Sequence, residues 1–134
     1  MAAAHVIDDE WCIRETIRIL LEHHGLTVIK AESGRIGLQR FFERPTDLVI
    51  TDLIMPDTTG FEVIDRVRRR APFTRVVAMS GCRIGADLLG MAQALGADGI
   101  ILKPFRREEL IAAAGLGPTG VARPHPGLAH ALHH

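Results

Sequence analysis

Five short runs of apolar and β-branched residues recur along the chain, each followed by a stretch with helical periodicity. This alternation restricts the fold more than any single motif. The runs are AHVI (4–7), LTVIKA (26–31), DLVIT (47–51), RVVAMS (75–80) and GIIL (99–102). The third, fourth and fifth are apolar at nearly every position, the pattern of strands covered on both faces. In the first intervening stretch Ile13, Ile17, Leu20 and Leu21 share one helical face, and Gly25 stops the helix. Ser33 reads as the N-cap of a second helix that closes near Arg44, ahead of Pro45. A third helix is expected over 61–70 with Val63, Ile64 and Val67 inward, a fourth over 84–95 stopped by Gly96, and a short fifth over 107–114. Strands alternating with helices in this way give an α/β fold, a doubly wound parallel sheet with helices on both faces.

A chain of 134 residues, 47% hydrophobic and 24% charged, suits one domain with a substantial core. Lys plus Arg and Asp plus Glu both number 16, so no global field points to nucleic acid or an anionic membrane. No apolar run approaches the roughly 18 residues of a membrane span. The N-terminus lacks the pattern of a signal peptide, so the cytoplasm is the expected location. Cys12 and Cys82 read as two free thiols. The segment 115–134 is dominated by Gly, Pro, Ala and His and reads as a disordered tail after a domain spanning 1–114. Its histidines, His125, His130, His133 and His134, match no zinc-binding spacing.

In open α/β sheets the site lies outside the carboxyl ends of the strands, at the point where strand order reverses. Polar residues follow the apolar runs there: Asp8, Asp9 and Glu10 after the first, Asp52 after the third, Ser80 at the end of the fourth, and Lys103 after the fifth. Singly, each has an ordinary explanation. Asp8 or Asp9 could cap a helix, Ser80 could sit in a turn, and Lys103 could be a solvated surface lysine. Jointly, equivalent positions at several strand ends describe one crevice.

Two unit charges about 4 Å apart repel by roughly 4 kcal/mol at an effective dielectric near 20. Clustered carboxylates therefore need a cation or take up protons. Hard oxygen ligands beside a water-accessible gap suit Mg²⁺, or Mn²⁺ in its place, sharing its shell with a phosphoryl oxygen. Lys103 adds a fixed positive charge and Ser80 a hydroxyl donor. Such a set is equipped for phosphoryl transfer, with Asp52 as the nucleophile that forms an acyl phosphate.

The motifs VIDDE, LVITDLIMPDTTGFEVI, VVAMSG and GADGIILKPF, in this order, resemble the receiver domain of bacterial two-component response regulators over about residues 6–114. The resemblance implies a flavodoxin-like sheet of order 2-1-3-4-5 with five helices. It implies Asp52 as the phosphoacceptor and Asp9 as a direct Mg²⁺ ligand. Asp8 would act on the metal through water, with Asp52 and the backbone carbonyl of Ile54 completing the protein's share. It also implies Ser80 as the switch hydroxyl, Lys103 as the phosphoryl partner, and a cis bond before Pro104. The implied phosphodonor is a sensor histidine kinase or a histidine phosphotransfer protein, and the implied output an unidentified protein. A homodimer through the fourth helix, fifth strand and fifth helix is a further implied partnership. The chain would catalyse only its own phosphorylation and dephosphorylation and would not be an enzyme with a separate substrate.

Three departures stand out. Ile100 occupies the place of the family's switch aromatic, DTTG replaces the commoner acidic-Met-Asp-Gly loop, and the fifth helix ends early at Gly115. Without an aromatic at position 100, the expected route for the signal runs through the backbone after Ser80, where Gly81 and Gly85 flank Cys82 and Ile84. The alternatives are a pseudo-receiver that binds without being phosphorylated, or the receiver fragment of a longer regulator with an effector domain. An aspartate-nucleophile phosphatase would need a second carboxylate at position 54, where Ile54 cannot donate a proton. The twenty residues after Ala114 hold no basic recognition stretch, so direct DNA binding is not expected.

Overall fold

The computed structural model describes residues 2–81 and 85–117. The expected tail from 118 onward, and Cys82 and Ile84 after the fourth strand, lie outside the described residues. The elements run β1 (Ala3–Ile7), α1 (Trp11–His23), β2 (Thr27–Ala31), α2 (Gly34–Glu43), β3 (Leu48–Asp52), α3 (Gly60–Arg70), β4 (Arg75–Gly81), α4 (Gly85–Leu95), β5 (Gly99–Lys103) and α5 (Arg107–Ala113). All strand pairs are parallel, in the order β2-β1-β3-β4-β5. Each element falls where the apolar periodicity puts it, and Ser33 caps α2 by accepting a hydrogen bond from the Ile36 N–H at 3.2 Å.

Because strand side chains alternate between faces, the core divides into two layers. Val49, Val76 and Ala78 meet Leu38 and Phe41 of α2, Val63, Ile64 and Val67 of α3, and Leu89 and Ala92 of α4. On the other face Ala4, Val6, Leu48, Ile50, Val77 and Met79 meet Ile17 and Leu21 of α1 and Leu110 of α5. The middle strand β3 is buried along its whole length. The expectation that β5 is likewise covered on both faces does not hold. Among the described strands β5 lies at the edge of the sheet with β4 as its one neighbour, and Leu102 is 43% exposed.

The expected boundary at 114 also moves. Gly115 adopts φ +77°, its N–H reaches the Ala112 carbonyl, and the Leu116 N–H reaches the Ile111 carbonyl. This is a Schellman closure, and it folds the residue after the glycine back onto the helix. Leu116 is accordingly 4% exposed and joins the α1/α5 side of the core, so residues 115–117 belong to the packed domain. The same device closes α1, with Gly25 at φ +85° and Leu26 turned inward.

Gly60, the first residue of α3, has a different reason to be glycine. A Cβ there would lie 2.0 Å from the Asp52 carbonyl oxygen and 2.6 Å from the Leu53 Cα. The Gly60 N–H also donates to the Leu53 carbonyl at 2.9 Å. Helix α3 thus begins in backbone contact with the end of β3, and that contact fixes the loop after Asp52. Gly60→Ala should destabilise the fold by roughly 1–3 kcal/mol through overpacking against main chain that cannot retreat. Gly90, within α4 with open space around it, provides the opposite sign. Gly90→Ala should stabilise by about 0.5–1 kcal/mol. Urea denaturation of both variants checks the pair; a Gly60→Ala protein as stable as its parent would refute the contact.

His5 is fully buried in β1. Its Nε2 lies 2.8 Å from the Arg44 carbonyl, which can only accept, so Nε2 carries the proton. Nδ1 is buried with no partner among the described residues, and the ring packs edge-on against Phe41 with centroids 5.3 Å apart. Burial lowers the imidazole pKa and the charges of Arg44 and Arg40 add to this, against the opposing pull of the carbonyl bond. A folded-state histidine pKa below the unfolded value near 6.5 makes the unfolded chain the stronger proton binder. Stability from this site is therefore complete above the unfolded pKa and is lost as pH falls through that value towards the folded one. The urea midpoint should drop more between about pH 7.5 and 5.5 in the parent than in His5→Phe, which has no group there to titrate. Equal drops would show that His5 carries no part of the acid sensitivity.

Candidate functional site

The register of the sheet assembles the site. Ile7 pairs with Thr51, so the next residues, Asp8 and Asp52, stand side by side at the ends of β1 and β3. Asp52 pairs with Met79, Ser80 with Leu102, and Gly81 with Lys103. Strand order reverses between β1 and β3, which opens the crevice there. Asp52, Asp8 and Ser80 are buried, with exposures of 6%, 0% and 1%.

Lys103 reaches across the strand ends. Its Nζ lies 2.7 Å from Asp8 Oδ2, 3.5 Å from Asp52 Oδ2 and 3.5 Å from Glu10 Oε1. The Lys103–Pro104 bond is cis, as the motif implied. Asp8 also accepts from the Glu10 N–H through Oδ1 at 2.9 Å, and its backbone carbonyl accepts from Arg14 Nη1 at 2.6 Å. Neither Asp8 nor Asp9 caps α1; the capping position is Glu10, which makes no side-chain cap. Asp52 Oδ1 accepts from the Leu53 N–H at 3.0 Å, which leaves Oδ2 as the oxygen facing Lys103.

The titration behaviour follows from this crowding. Burial pushes the Asp52 carboxyl up to about 6, and the Asp8 charge pushes the same way, against Lys103 and the Leu53 N–H. Burial also raises Asp8, although the Lys103 bond opposes it. Burial acts to lower the Lys103 ammonium, but its bond to Asp8 and the charges of Asp8, Asp52 and Glu10 outweigh that and raise it. Four carboxylates share the crevice with the Lys103 ammonium and the Arg14 guanidinium, which leaves two negative charges uncompensated when all are ionised.

Carboxylate oxygens of Asp8, Asp9 and Glu10 lie within 4.8 Å of one another. Hard oxygens at that spacing beside an excess of negative charge fit a hard divalent cation. The grouping adds Glu10 to the expected Asp8 and Asp9, while Asp52 stands beside Asp8 with Lys103 in contact with both carboxylates. Ile54, whose carbonyl completes the expected set, turns its side chain outward and is 52% exposed. The Ser80 hydroxyl has one long bond, 3.4 Å to the Gly81 carbonyl, and so remains able to take a better acceptor. Ile100 pairs with Ala78 and packs against the α2/α3/α4 side of the core.

Two positioning residues escape sequence reasoning. Arg14 acts on a backbone carbonyl, a target that carries no side-chain signature. Gly60 had a readable sign, since a glycine directly after a capping Thr59 and ahead of an apolar helix face is an odd choice for a first helical turn.

Among the described residues no helix is long and apolar enough to cross a membrane. The response regulator receiver domain model matches residues 4–115. The chain is 37% identical over 114 residues to the transcriptional regulatory protein KdpE of Mycobacterium tuberculosis, covering 84% of this chain and 49% of that protein. It is 30% identical over 107 residues to the response regulator ArlR of Staphylococcus epidermidis, covering 80% of this chain and 48% of that one. The chain thus spans about half the length of these curated relatives. Among solved structures, a response regulator receiver domain protein from Clostridium thermocellum superposes with a TM-score of 0.78 at 33% identity, covering 84% of this chain and 90% of that one. The chemotaxis response regulator CheY4 of Vibrio cholerae gives 0.76 at 31% identity, covering 84% and 94%. With the matched region spanning both the sheet and the strand-end site, the chain belongs to the response regulator receiver domain family.

Proposed function

We propose that this chain is the phosphoacceptor of a two-component relay and that Asp52 takes the phosphoryl group. The observation that carries the reading is the state of that carboxylate. It is buried, has a pKa of about 6, and lies 3.5 Å from Lys103 beside the acidic cluster. At neutral pH it is therefore ionised and able to attack, yet poorly solvated by its surroundings.

The donor in this reading is a phosphohistidine on a histidine kinase or a phosphotransfer protein. Asp52 Oδ2 attacks phosphorus, a P–O bond forms, the P–N bond breaks, and the imidazole nitrogen leaves with the electron pair. The Leu53 N–H holds Oδ1 throughout and fixes the direction of attack. Lys103 faces the negative charge arriving on the phosphoryl oxygens, and the loosely bonded Ser80 hydroxyl can donate to one of them. Asp8, Asp9, Asp52 and the Ile54 carbonyl would hold Mg²⁺, with Glu10 close by. The ion when bound supplies charge neutralisation between the carboxylates and the phosphoryl group. The chain turns over no separate metabolite, and its product is its own modified surface. A pseudo-receiver is the poorer reading, since the acidic pair, Asp52, Ser80 and Lys103 are all present.

Incubation with acetyl phosphate and Mg²⁺ should add one phosphoryl group to the intact mass, and Asp52→Asn should abolish the addition. Full modification of the Asn variant would place the acceptor elsewhere. Hydrolysis of the acyl phosphate needs a water in line with phosphorus. The exposed, branched Ile54 offers such a water no hydrogen bond and obstructs its approach. Ile54→Asn should shorten the acyl-phosphate lifetime several-fold in a phosphate-release assay; an unchanged or longer lifetime would remove Ile54 from control of water access.

A further inference from the structure

The C-terminal turns of α3 carry a cluster of cations that the strand-end site does not use. The guanidinium carbons of Arg66 and Arg70 lie 5.2 and 5.5 Å from the centroid of the same ring, Phe42 of α2. Together with Arg69 they line an open cavity of about 350 Å³ between the two helices. Arg69 is bonded to Asp65 at 3.0 Å. Arg66 and Arg70 have no carboxylate at ion-pair distance among the described residues.

Complementing the α3 dipole explains arginines in the last turn. It does not explain Arg66 one turn earlier, nor why two like charges are held against one ring. A guanidinium carbon 5.2–5.5 Å from a ring centroid is within cation–π range, an attraction that leaves N–H groups available to other acceptors. Contact with the ring also reduces the rotamer freedom that a later hydrogen bond would otherwise cost. Two such forks one turn apart, about 6 Å along the axis, therefore form a pre-organised double receptor for bidentate oxyanions.

We propose that this α2/α3 face is a docking surface for an acidic peptide segment of a partner protein, whose carboxylates engage Arg66 and Arg70. The charge complementarity is local, since the chain as a whole carries no net charge. The spacing favours an extended segment with successive carboxylates over a single small anion, which one fork alone would satisfy. The exposed rim of Phe42 can take the aliphatic part of a glutamate stem. Arg66 and Arg70 lie roughly two and three turns beyond Gly60, so the surface is separate from the strand-end crevice. The inference does not depend on phosphorylation of Asp52.

The test uses the full chain and a fluorescent octaglutamate peptide, titrated by anisotropy at about 50 mM salt, where surface charge is only partly screened. Arginine Nε–H resonances are followed in parallel. The shifts should concentrate on Arg66, Arg69 and Arg70. Arg66→Gln/Arg70→Gln should weaken binding at least about tenfold, a loss of about 1.4 kcal/mol. Arg66→Lys/Arg70→Lys, which keeps charge but not the fork, should weaken it several-fold. Arg107→Gln, exposed at the start of α5, should leave it unchanged. The far-UV circular dichroism spectrum of the double Gln variant should match the parent's, which shows that the variant is folded. Peptide binding that is insensitive to the double Gln change, or shifts that fall elsewhere, would overturn the proposal. Tighter binding of inorganic phosphate or of a short DNA duplex than of the peptide, lost in the same variant, would overturn the choice of an acidic peptide.

Discussion

An ammonium from the edge of the sheet partly balances a charge that the topology forces together. Parallel pairing of β1 with β3, register Ile7 to Thr51, leaves Asp8 and Asp52 no choice but to emerge as neighbours. Both are buried, and burial raises both pKa values. Lys103 comes from β5, two strands beyond β3, and contacts both at 2.7 and 3.5 Å. One lysine cannot balance them along with Asp9 and Glu10. The residual negative charge keeps the crevice receptive to a divalent cation, and a phosphoryl group is the natural third member of that set.

The rest of the fold can be read as what keeps this unstable arrangement in place. The two apolar layers clamp the sheet from both faces, so the strand ends cannot separate to relieve repulsion. Direct backbone contact at Gly60 sets where α3 begins and hence the path of the chain after Asp52. Arg14 holds the Asp8 carbonyl from α1. Each of these acts on main chain, where small displacements are costly. The acidic groups gain a fixed geometry without further side-chain partners.

Much of this was legible in the sequence, for definable reasons. Apolar runs alternating with helical periodicity admit few topologies, and polar residues at the ends of buried strands stand out because burial is otherwise unfavourable to them. Ser33 was readable because capping is a local interaction. What escaped was non-local. The GIIL run looks like an interior strand, yet composition cannot say whether another strand lies beyond it, and Leu102 is exposed. Leu116 sits in a Gly-rich stretch that resembles a tail, and its burial depends on a closure whose hydrogen bonds run back to Ala112 and Ile111. The role of Arg14 is invisible because backbone carbonyls have no sequence identity.

The two ends of the sheet differ in how firmly they are held, and this bears on where a signal can be expressed. At the amino end Arg68 makes five hydrogen bonds, two to the Gly96 carbonyl and one each to Pro72, Thr74 and Asp98. Asp98 in turn accepts from the Val76 N–H. The last turn of α3, the exit of α4 and the first residues of β4 are tied into one unit. At the carboxyl end Ser80 has a single bond of 3.4 Å to its own neighbour. Displacing Arg68 would break five bonds in a half-buried setting, several to uncharged carbonyls that would lose a charged donor. Displacing the Ser80 hydroxyl breaks one weak bond, and a phosphoryl oxygen would return a stronger, charge-assisted one. The side-chain hydrogen bond that is cheapest to exchange thus lies at the carboxyl ends of the strands, while α4 is anchored at its exit.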